Sequence, residues 1–320
     1  MRKTRFLFTS TLQTLVYADL FAFPLTKTEL WQRLITPPQI PKSSWQKNLK
    51  KWAKQKKINY CQGYYFLPGG KKHIEKRRLQ EKNWLPKFEL VKKAADFIAQ
   101  VPSVWFIGLT GNLALGVAKK TDDLDLMIIT ASNALWLSRL KIYWLLKKNG
   151  PKHQLFARKP GEKKVSNKLC LNLFLDGSDL AIKSKQQNLF TAYQIAFLKP
   201  LVNKHQVYEQ FLAANPWAKK FLPNAFKPSR RPKTKRNTSE EPRLTSQEFL
   251  FPAKFLLGRW PRQRRGLLRG GTKQLNLFCY FLQRLYMKGK PKVKKITLTQ
   301  AFFHPQDQSV KTLKRFNQKL

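Results

Sequence analysis

Apolar residues recur at helical spacing over residues 5–22, where Leu12, Leu15, Val16, Leu20 and Phe21 mark one face and Pro24 closes the segment. Thr26 or Thr28 stands where the cap of a short helix over 29–34 is expected, and Pro37, Pro38 and Pro41 read as a loop. Ser43 or Ser44 is the expected cap of a third helix over 44–57, striped by Trp45, Leu49 and Trp52. The following INYCQGYYFLPGG predicts a hairpin of strands 58–61 and 64–67, turned at Gln62-Gly63. Residues 71–100 are helical and charged, with Leu90, Val91, Ala94, Phe97 and Ile98 as the apolar stripe of the second half.

The middle of the chain changes period. Residues 104–109 are largely β-branched and aromatic and stop at Thr110-Gly111, a turn signal. One or two helical turns over 112–116 and a loop over 117–122 lead to a second strand, which opens at Asp123 and carries Leu124, Leu126, Met127, Ile128 and Ile129. Ser132 or Asn133 is the expected cap of a helix running to about residue 148, ended by Gly150-Pro151. A third strand, LCLNLFLD, spans 169–176, and helices are expected over 191–198 and 205–214. Residues 226–245 are rich in Pro, Lys and Arg and read as a flexible basic linker. Beyond it, 249–257 and 275–286 read as helices, with Pro252 near a start or kink, and the tail from 287 is basic. No internal repeat is visible.

These elements predict an α+β protein. Three helices and a two-stranded wing at the amino terminus resemble a winged helix-turn-helix, so residues 1–70 form the expected winged-helix-like module. A core over 71–200, a helical extension over 201–225, the linker and a basic helical region over 246–320 complete the division. Sixty-three Lys and Arg against 17 Asp and Glu leave a formal charge of +46, which predicts a polyanionic partner, with nucleic acid first. A generally basic proteome is the alternative source of such a charge. The third helix and its end carry Lys47, Lys50, Lys51, Lys54, Lys56 and Lys57, as a helix facing phosphates would. Cys61, Cys170 and Cys279 are odd in number and far apart, which argues against a disulfide framework or a zinc site. No apolar run of about 20 residues and no signal peptide is seen, so no membrane partner and a cytoplasmic location are expected.

Acids are scarce, which makes their placement informative. Three of the 17, Asp122, Asp123 and Asp125, fall within four positions. Side chains alternate across a strand, so Asp123 and Asp125 share a face with Cβ atoms roughly 6 to 7 Å apart, a span two ligands of one divalent cation can bridge.

The string Gly111, Asn112, about ten residues, then Asp123-Leu124-Asp125-Leu126 resembles the signature of the DNA polymerase β-like nucleotidyltransferase superfamily. The order helix, strand, helical turn, strand, helix, strand over about 87–176 is similar to that family's minimal fold. The resemblance implies a central nucleotidyltransferase α/β core with a small mixed sheet, and Asp123 and Asp125 as catalytic metal ligands for Mg²⁺ or Mn²⁺ with an NTP as substrate. Thr110, Gly111 and Asn112 would then meet the triphosphate, with Lys119 and Lys120 in the loop above it. Two positions depart from the pattern. Asn112 stands where a small Gly or Ser is usual, and Asn172 stands where the third strand usually carries an acid. An amide brings no charge and cannot act as a base. Asp176, about 13 Å further along the strand, is the other possible third position. A catalytically degenerate member acting as a nucleic-acid-binding or regulatory module is the alternative function. The sequence does not specify the oligomeric state.

Overall fold

The computed structural model describes residues 2–36, 41–159, 161–226, 269–287, 295–303 and 307–320. Residues 227–245 of the expected linker and the expected helix over 249–257 lie outside them.

The amino-terminal region runs α1 (Arg2–Asp19), β1 (Leu25–Thr26), α2 (Lys27–Gln32), α3 (Lys42–Lys54), β2 (Asn59–Cys61) and β3 (Tyr64–Phe66). The strands form an antiparallel sheet in the order β1-β3-β2. Gln62 and Gly63 both have positive φ, the backbone a two-residue hairpin turn needs. Thr26 caps α2 in a capping box with Glu29. Neither Ser43 nor Ser44 caps α3. That helix starts directly after Pro41, whose fixed φ pre-sets the helical entry, so both serines fall inside the first turn and stay exposed. Leu7, Leu15, Leu25, Leu30, Trp45, Leu49 and Trp52 close one core among these elements.

The rest is built on a six-stranded mixed sheet. Its helices are α4 (His73–Lys82), α5 (Trp84–Ile98), α6 (Gly111–Ala114), α7 (Leu135–Asn149), α8 (Leu189–Ala196), α9 (Val207–Ala214), α10 (Ala218–Phe221), α11 (Arg269–Met287) and α12 (Asp307–Lys319). Its strands are β4 (Val104–Leu109), β5 (Leu124–Thr130), β6 (Leu169–Asp176), β7 (Lys199–Asn203), β8 (Lys295–Ile296) and β9 (Gln300–Phe302), in the order β7-β4-β5-β6-β9-β8. Among the described strands only β5 and β6 pair in parallel. Leu124, Leu126 and Ile128 pack with α5 and α7 on one face, whereas Met127 and Ile129 pack with α8 and α9 on the other. Both faces of β5 are therefore buried, which is why it reads as a continuous apolar run.

The carboxy-terminal region is helical only in part. Its strands β9 and β8 extend the sheet beyond β6. Helix α11 lies on α7, where Asn276 accepts from the amides of Trp136 and Leu137 and Gln283 donates to the Trp136 carbonyl. Helix α12 reaches α1 through the Lys319–Asp19 ion pair and the Tyr17–Phe316 ring contact. Among the described residues no helix is long and apolar enough to cross a membrane.

Candidate metal- and phosphate-binding site

Antiparallel pairing of β4 with β5 brings Thr110-Gly111 beside Asp125, and the Thr110 amide donates to the Asp125 carbonyl at 3.0 Å. Gly111 is required there twice over. Its φ is +68°, and a Cβ on it would lie 2.7 Å from Asp125 Oδ2. The turn continues into α6, one helical turn held from below by Trp84 Nε1 donating to the Leu113 carbonyl at 2.8 Å.

Asp122 shapes the loop above. Its Oδ2 accepts from Asn112 Nδ2 at 3.2 Å and from the Lys119 amide at 3.0 Å. The Asn112 amide, expected at a phosphate, is thus engaged with the loop. Lys119 and Lys120 are exposed on it. Lys87 ties the loop to the segment before β6, donating to the Asp122 carbonyl at 2.7 Å and to Asn167 Oδ1 at 2.6 Å.

The two aspartates that the strand period pairs do converge. Asp123, Asp125 and Cys170 each offer a ligand atom, and the three atoms lie within 4.8 Å of one another. Cys170 is paired with Asp125 across the parallel β5–β6 ladder. Burial, then the Asp125 and Asp123 charges, push its thiol far above the usual range. Asn172 Nδ2 donates to Asp125 Oδ1 at 2.8 Å, so the expected third position stands beside the pair and brings an amide. Arg158 Nη1 lies 2.6 Å from Asp123 Oδ2 and 3.8 Å from Cys170 Sγ. Burial lowers the Arg158 pKa, but the charges of Asp123 and Cys170 and the hydrogen bonds to both together outweigh it, and the net shift is upward. Two convergent carboxylates suit Mg²⁺ or Mn²⁺, hard cations that take one or two protein carboxylates and fill the remaining positions with water and phosphate oxygens. The donor set therefore fits the cation the resemblance implies. No protein-family model, curated protein or solved structure matches the chain.

Asp176 is not at this site. The ladder shifts register between Leu126 and Met127, so that Asn172 is the bulged residue and Leu173 faces Met127. The bulge inverts the strand's parity beyond it. Asp176, paired with Thr130 at the far end of the strand, points to the α7 side, where it accepts from the amides of Asn133, Ala134 and Ser178 and from the Ser178 hydroxyl. It caps the entry to α7, the role expected of Ser132 or Asn133.

Sequence reasoning missed Arg158, Cys170 and Lys199. Cys170 lies two positions before Asn172 on an alternating strand, which was a usable signal. Arg158 sits in a basic irregular stretch and gave none. Lys199 stands opposite Leu109 on β7, with its ammonium 5.4 Å from the Trp84 ring centre, and burial, reinforced by Arg33, lowers it to about 8.

Away from this site, Lys47, Lys50, Lys51, Lys54, Lys56 and Lys57 are all exposed, while Trp45, Leu49 and Trp52 face inward. The helix presents a cationic side to solvent.

Proposed function

We propose that the protein is a metal-dependent nucleotidyltransferase that moves an NMP from an NTP to an acceptor, RNA in the first instance. The observation that carries this reading is the convergence of Asp123 and Asp125 against the Gly111 turn, within one strand of Asn172. The sheet order and the helices over β4, β5 and β6 support the nucleotidyltransferase resemblance, and the α1-β1-α2-α3-β2-β3 order supports the winged-helix one. Mg²⁺ or Mn²⁺ held by the two carboxylates would neutralise phosphate charge. The chain's own part is positional: Gly111 leaves room for the Asp125 carboxylate, Asn172 orients that carboxylate, and Lys119 and Lys120 attract the triphosphate. The acceptor oxygen bonds to the α-phosphorus, the bond to the β-phosphate oxygen breaks and pyrophosphate leaves. The acceptor proton passes to solvent, because Asn172 has no basic site. Three free thiols and the NTP requirement fit a cytoplasmic location.

Incubation with Mg²⁺, labelled NTPs and RNA should give label transfer that Asp123→Ala and Asp125→Ala each reduce by about a thousandfold or more. Equal activity in both variants and wild type rejects the assignment. A second reading, a degenerate fold that only binds nucleic acid, is favoured by Asn172 at the third position and by Arg158 on Asp123. It predicts no transfer, with nucleic-acid affinity that falls steeply with salt and ignores chelation of Mg²⁺.

A further inference from the structure

The Arg158 guanidinium touches two of the three converging residues, at Asp123 Oδ2 and Cys170 Sγ. An ion on that Oδ2, at a bond length of about 2.1 Å, would stand within about 5 Å of Nη1. Two cations that close on one carboxylate repel, so the arginine and a divalent ion compete for Asp123. We propose that Arg158 is the resident cation of the nucleotide-free site, and that it leaves Asp123 for the phosphates of an incoming nucleotide. This rests on the nucleotidyltransferase reading above.

Three features fit the exchange. The first is charge: Asp123 and Asp125 bring ligand oxygens within 4.8 Å of each other, and Arg158 sets a positive group directly on one of the two carboxylates. Freedom is the second. The Arg158 backbone is fixed, its amide donating to the Leu169 carbonyl at 2.9 Å beside the Ala157–Leu169 bridge, but its side chain is 37% exposed against 16% for Asp123. Only the side chain has to swing. The third is destination, since a planar guanidinium that gives up a carboxylate finds the same forked geometry on a phosphate. Nucleotide and divalent ion therefore bind with positive coupling, each removing the obstacle to the other. Arg158 is a positioning residue that acts through Asp123 and the phosphates.

The test is Mn²⁺ binding to the full-length protein by electron paramagnetic resonance, with and without ATP as the probe nucleotide. Without ATP, Arg158→Gln should bind Mn²⁺ about tenfold more tightly than wild type, because the competitor is gone. ATP itself should bind that variant about tenfold more weakly, while adenosine is unaffected. Arg158→Lys, which keeps the charge and loses the fork, should fall between the two. Unchanged or weakened Mn²⁺ binding in Arg158→Gln, with wild-type binding that Asp125→Ala abolishes, overturns this inference and leaves the nucleotidyltransferase reading standing. If neither wild type nor Arg158→Gln binds Mn²⁺ in either state, both fall.

Discussion

Among the described residues two clusters of acid and arginine stand out, and burial separates their roles. In the first, Glu29 Oε1 accepts from Arg77 at 2.7 Å and from Arg33 at 3.4 Å, while Arg77 also pairs with Glu81 at 2.8 Å and lies 3.8 Å over the Phe23 ring. Tyr64 closes the far end by donating to Glu81. All this joins α2 to α4, and the Arg77 side chain has no exposure at all. In the second, Asp123 and Arg158 meet at a similar distance with the arginine side chain over a third exposed. The same ion-pair chemistry is a lock where water is excluded and an exchangeable contact where it is not.

The largest effect should come from breaking the lock. Arg77→Ala leaves Glu29 buried beside a single, longer arginine contact and is expected to cost about 3–5 kcal/mol, read as a fall in the urea midpoint. A loss below about 1 kcal/mol would put the two clusters in one class. Next comes Gly111→Ala. Its φ of +68° alone costs about 1–2 kcal/mol, and the added Cβ must push Asp125 aside. Stability should fall by that modest amount while Mn²⁺ binding is lost, a split that a purely structural glycine would not give.

The comparison also shows what the sequence could tell. Strands β4, β5 and β6 were legible because each is apolar on both faces and ends at a turn or an acid, and the Asp123–Asp125 pair followed from strand period. The bulge at Asn172 was not, since a one-residue insertion leaves no mark in composition yet moves Asp176 to the other face of the sheet. Strand β7 escaped because it is five residues long with Pro200 inside it, which only an edge strand tolerates. The pairing of β8 and β9 with the sheet depends on contacts more than 100 residues away along the chain, such as Leu173 with Phe302. Local patterning carries no trace of these. The Glu29–Arg77 lock joins residues 48 apart in sequence and was invisible for the same reason. Arg158 reaches Asp123 across 35 residues.

The smallest expected effect concerns Lys199, which lies between the clusters: Arg33 of the lock adds to its burial in lowering it to about 8, and its strand partner Leu109 precedes the Thr110 turn. A lysine whose folded value is depressed is held protonated at a cost below that value, and folding gains stability as pH rises from about 8 toward its ordinary value of 10.5. Lys199→Met removes the charge and keeps most of the side-chain bulk. The variant should therefore be more stable than wild type at pH 7, by about 1 kcal/mol once solvent screening is allowed for, with the gap closing by about pH 10. Urea midpoints of the pair at several pH values measure it, and tyrosine ionisation, common to both proteins, cancels in the difference. A gap that stays constant from pH 7 to 10 would mean that neither burial nor the neighbouring Arg33 depresses the Lys199 ammonium, and that the lock's charge does not reach the strand beside the Thr110 turn.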